Sequence, residues 1–70
     1  MKNSVYEIRT KLLVLMQDKK FSVETRYKIV SAIAKQNTSN EIVQQIISVV
    51  NQNETEQKSY SKIMEILKQT

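Results

Sequence analysis

An all-α fold is predicted: four short amphipathic helices in a small antiparallel bundle. Three observations predict it. The 70 residues include no glycine and no proline, so the usual helix breakers are missing. Helix-start signals recur at Ser4, Ser22, Thr38 and Asn53. Between these signals the apolar residues follow a helical period and do not alternate as they would in a strand. Hydrophobic residues make up 40% of the chain, enough for a packed core and too many for disorder. Residues 1–70 read as a single helical domain.

The first helix is predicted over residues 4–19. Ser4 and Glu7 have the spacing of a capping box, in which the hydroxyl accepts a backbone N–H and the glutamate reaches back to the cap. The stripe is Val5, Ile8, Leu12, Leu15 and Met16. Lys19 and Lys20 stand at the end, where the helix dipole favours cations. Tyr6 and Leu13 flank the stripe and Val14 points well off it. Two readings follow: a central helix covered on several sides, or an exposed apolar patch for a partner or a second copy.

The second helix is predicted over 22–36, with Ser22 as N-cap and Glu24 in the first turn. Val23, Tyr27, Ile29, Val30, Ile33 and Ala34 form its apolar side, with Tyr27 expected in the core and its hydroxyl wet. The third helix, 38–52, opens with the capping-box spacing Thr38 to Glu41. It separates Ile42, Val43, Ile46, Ile47, Val49 and Val50 from Glu41, Gln44, Gln45, Ser48, Asn51 and Gln52. Ile and Val favour strands, but the helical separation decides for a helix. The fourth helix, 53–68, is capped by Asn53 and buries Tyr60, Ile63, Met64 and Leu67. Asn37, and Asn51 or Asn53, are expected in the left-handed conformation that glycine usually supplies at a helix end. With short linkers, successive helices are expected to be antiparallel or nearly orthogonal neighbours. Glu24–Lys28 and Glu54–Lys58 read as i,i+4 helix support.

The composition removes most catalytic chemistry. With no Cys and no His, the chain lacks disulfides, the usual zinc ligands and the commonest acid–base group. Asp18 reads as a surface charge beside Lys19. The glutamates are scattered singly, and Glu54 and Glu56 fall on different sides of a helix. Without glycine there is no phosphate-cradling loop. A non-enzymatic protein with no cofactor and no metal is expected. The apolar run Leu12–Met16 is far short of the roughly 20 residues of a membrane span, and no secretory signal is legible, so a cytoplasmic protein is expected.

The charge is uneven. Residues 1–36 carry eight basic and three acidic side chains, whereas 37–70 carry three and four, within a net charge of +4. Attraction to an anionic surface therefore lies in the first half. A membrane-surface role for the first helix is disfavoured because its apolar residues are needed for a small core. A DNA-binding alternative uses the second and third helices as a helix-turn-helix. Asn40, Gln44 and Gln45, with Ser48, would read the major groove while Lys28 and Lys35 contact phosphates. Against it, the turn at Gln36-Asn37 lacks glycine and is about one residue short, and the third helix holds no Lys or Arg.

Tyr6-Glu7-Ile8-Arg9-Thr10-Lys11-Leu12-Leu13, then Ser22-Val23-Glu24-Thr25-Arg26, together with the small basic all-helical character, resembles the immunity proteins that protect lactic acid bacteria from their own class II bacteriocins. The resemblance implies an antiparallel four-helix bundle acting inside the cell. It also implies recognition of a bacteriocin with its membrane receptor, largely through the C-terminal part. No binding residue carries over from it. The function expected from the sequence is protein binding, as a small regulator, inhibitor or immunity-like factor, with a homodimer as one form. The candidate face is Tyr6, Leu13 and Val14, with Arg9 and Lys11 nearby.

Overall fold

A computed structural model describes residues 5–69. It contains four helices: α1 (Val5–Asp18), α2 (Val23–Gln36), α3 (Asn40–Val50) and α4 (Glu56–Lys68). Among the described residues there is no strand. The expected cap Ser4 lies outside the described residues.

The helix starts follow local hydrogen bonding. Ser22 caps α2, its hydroxyl accepting from Thr25 N at 3.2 Å. Two expected caps shift along the chain. Ser39, not Thr38, caps α3 by accepting from Ile42 N, and Thr38 is buried just before it. Thr55, not Asn53, caps α4 by accepting from Lys58 N. In both cases a hydroxyl one or two residues further on has the extended backbone that lets it reach the free N–H groups. Glu54 therefore precedes α4, and it pairs with Lys62 at 2.5 Å, away from the expected i,i+4 partner Lys58.

The helix ends manage without glycine. Lys20, Asn37 and Asn53 take the left-handed conformation, with φ of 64°, 51° and 58°. Asn51 stays right-handed. At the end of α1, Lys20 N donates to Gln17 O and Phe21 N to Met16 O, both at 3.0 Å. Asn37 and Thr38 repeat this pattern on Ala34 and Ile33. These are Schellman closures, and the buried pair Phe21 and Met16 supplies the apolar contact that accompanies them.

The helices pack in a ring. α1 packs on α2 and α3, and α4 packs on the same two. α2 and α3 are therefore at opposite corners, although only residues 37–39 join them. This corrects the expectation that every successive pair of helices is adjacent. The core is Leu12, Met16, Ile29, Ile33, Val43, Ile46, Val50, Ile63 and Leu67, all essentially inaccessible. Fully burying one such side chain is worth about 1.5–3 kcal/mol, which outweighs the few tenths by which Ile and Val disfavour a helix. That balance keeps α3 helical.

Candidate protein-binding face

The exposed apolar residues concentrate on α1 and α2. Tyr6 is 80% exposed, Tyr27 73%, Val23 72%, Val14 59%, Val5 48% and Leu13 39%. The reading in which α1 is covered on several sides is corrected: only Ile8, Leu12 and Met16 are buried on it, with Leu15 partly so. Tyr27 is likewise not a core tyrosine, and Val23 and Ala34 leave the core with it. Along α2, Ile29 through Tyr27 spans an arc of about 160°, wider than the roughly 100° of a single core-facing stripe. Ile29 and Ile33 take the core, Val30 packs partly against it, and Val23, Tyr27 and Ala34 are left outside. The width of that arc was readable from the sequence.

The two exposed rows flank one groove. The end of α1 connects to the start of α2 through residues 19–22, and Arg9 near the start of α1 donates to the carbonyl of Thr38 just after α2, at 3.1 Å. The two helices therefore run antiparallel. Arg9 marks the edge of α1 that faces α2, and Leu13 and Tyr6 fall within about 60° of it on the helical wheel. On α2, Thr25 bonds Glu56 and so marks the edge facing α4. Val23, Tyr27 and Ala34 lie on the opposite edge, beside α1. Thr10 and Gln17 complete the row on α1, and the half-buried Arg9 and Arg26 lie between the two rows, bonded to the Thr38 and Phe21 carbonyls.

Not all expected face residues share this role. Lys11 is exposed but stands beyond Glu7 and Asp18 on the helical wheel, away from the strip. Arg9 is half-buried and joins α1 to the α2–α3 turn; its Nε is buried with no protein partner.

The residues of the DNA alternative are not brought together. Lys28 and Lys35 are exposed on α2, and Gln44 and Gln45 on α3. α2 and α3 are not among the helix pairs that pack closely. A helix-turn-helix needs these two helices packed on one another. Asn40 is half-buried, with its Oδ1 buried and lacking a protein partner.

The remaining polar features belong to the scaffold. Lys19 Nζ hydrogen-bonds Asn53 Oδ1, tying the end of α1 to the α3–α4 turn. Glu56 accepts from Thr25 and Ser22 across α2 and α4. Thr25 foremost, then the Ser22 N–H, hold its carboxyl below the ordinary glutamate range, against a smaller opposing effect of desolvation. Among the described residues, no three His, Cys, Asp or Glu are grouped to hold a metal ion, and no helix is long and apolar enough to cross a membrane. No protein-family model, curated protein sequence or solved structure matches the chain.

Proposed function

We propose that this chain is a non-enzymatic protein-binding module that acts through the outer face of α1 and α2. The observation that carries the reading is the apolar strip of Tyr6, Leu13, Val23 and Tyr27, with Val14 at its outer margin on α1, whose apolar area faces solvent on a domain that has a full core elsewhere. Two tyrosines suit such a face. Each offers a large apolar ring at small entropic cost and a hydroxyl that tolerates water before docking. Borders of charged residues such as Glu7, Glu24 and Lys28 give the polar rim that accompanies an apolar interface centre. Regulation, inhibition or immunity-like protection are the roles this mode of action serves, and a reducing cytoplasm suits a chain without cysteine.

The test is site-specific photo-crosslinking in the host cell, with the photo-reactive residue at Tyr27 or, as control, at Gln45 on α3. Protein adducts confined to the Tyr27 position support the reading. Equal adducts at both positions, or none at Tyr27, contradict it. DNA adducts at Gln45 would instead favour the nucleic-acid alternative.

A further inference from the structure

We propose that the protein bound by this face is a second copy of the same chain, so that the working unit is a symmetric dimer joined through α1 and α2. The inference rests on the protein-binding reading above and names its partner.

Charge is the first argument. The chain carries +4, so two copies repel each other through any basic surface. Tyr6, Leu13, Val14, Val23, Tyr27 and Ala34, which stand out from this face, carry no charge, and the two arginines between the rows, Arg9 and Arg26, are half-buried and bonded to the Thr38 and Phe21 carbonyls. A face built to recruit an oppositely charged partner would instead centre on the lysines, which lie outside the strip.

Symmetry is the second. In a two-fold contact each copy presents the same patch, so the patch must complement itself. An apolar strip does so without any pairing of opposite charges.

Area is the third. The exposed parts of the five large residues amount to roughly 600 Å² per copy, and Thr10, Gln17 and Ala34 bring this near the roughly 800 Å² that each partner contributes to a standard interface. The small size of the domain is the fourth. A 70-residue core is marginal, and a dimer adds stability by mass action without disulfide or metal.

Sedimentation equilibrium over a wide concentration range tests the proposal. The expected mass at high concentration is twice the 8.2 kDa chain. The dimer persists when salt is raised, because the interface is not held by ion pairs. The double substitution Val14→Glu and Tyr27→Glu, at exposed positions, weakens association by about 100-fold or more with unchanged helical circular dichroism. Gln44→Glu with Ser48→Glu, on α3, leaves the dimer intact. Hydroxyl-radical footprinting of the unaltered chain gives a readout that needs no variant: Tyr6 and Tyr27 become protected as concentration rises. A single-chain mass at every concentration overturns the proposal, as does a dimer that survives the Val14/Tyr27 change and is lost on the α3 change. A monomer whose Tyr27 position still crosslinks to a different polypeptide in the cell sinks the self-association alone and leaves the protein-binding reading standing.

Discussion

The carboxylate of Glu56 accepts a hydrogen bond from the Thr25 hydroxyl at 2.6 Å, fastening the first turn of α4 to the first turn of α2. Ser22, the cap of α2, adds its backbone N–H and its hydroxyl, each at 3.0 Å. Glu56 thus bridges two helix starts, 31 or more residues apart in sequence, and does not complete a box on its own helix. Glu56→Gln is expected to cost about 1 kcal/mol at neutral pH, below the usual range for bonds to a charged group because the site is near solvent.

The same contact gives a pH dependence. The folded carboxyl titrates below its unfolded value, so it stabilises the fold fully above about pH 4.3 and less as pH falls through the lower folded value. Thermal unfolding between about pH 6 and pH 3 should show wild type losing more stability than Glu56→Gln, with the two curves converging at the acid end. Parallel curves would show that the charge of Glu56 does not matter.

Lys20 holds φ at 64°, a conformation that costs a residue with a Cβ roughly 1 kcal/mol. Lys20→Gly should therefore raise stability by at most about 0.5 kcal/mol, read by urea unfolding, after glycine's greater unfolded-state entropy is subtracted. Asn37→Gly should gain much less, since asparagine tolerates the left-handed region.

Ser59 is fully buried on α4 and its hydroxyl has no protein partner. Ser59→Ala should stabilise the fold by about 1 kcal/mol, because alanine removes an unpaired buried polar atom at nearly equal volume. A loss of similar size in the same unfolding assay would show that the hydroxyl is satisfied.

Leu12 is completely buried where α1 meets the core. Leu12→Ala should cost about 2–5 kcal/mol, comparable to the whole stability of so small a domain. The expected outcome is loss of the cooperative thermal transition at ordinary temperature, seen by circular dichroism.

The helices were legible because apolar period and cap residues act locally. α3 separated its faces cleanly, and Ile46 and Val50 are buried as its pattern requires. Cap positions slipped where two hydroxyls competed, as at Thr38 and Ser39, since only tertiary packing chooses between them. The candidate face was half legible. Tyr6, Leu13 and Val14 departed from the α1 stripe, but Val23 and Tyr27 shared an apolar arc with Ile29 and Ile33. Which part of that arc turns inward depends on where α1 and α4 sit, and no local signal states that. The same holds for Arg9, whose bond to the Thr38 carbonyl links residues 29 apart.

The most direct measurement on the central claim is a concentration series of amide NMR spectra of the isotope-labelled chain. The account predicts shifts and broadening clustered on Tyr6, Leu13, Val14, Val23 and Tyr27 as protein is added, with Gln44, Gln45 and Ser48 unmoved. Changes centred on α3 and α4, or none at any concentration, would contradict it.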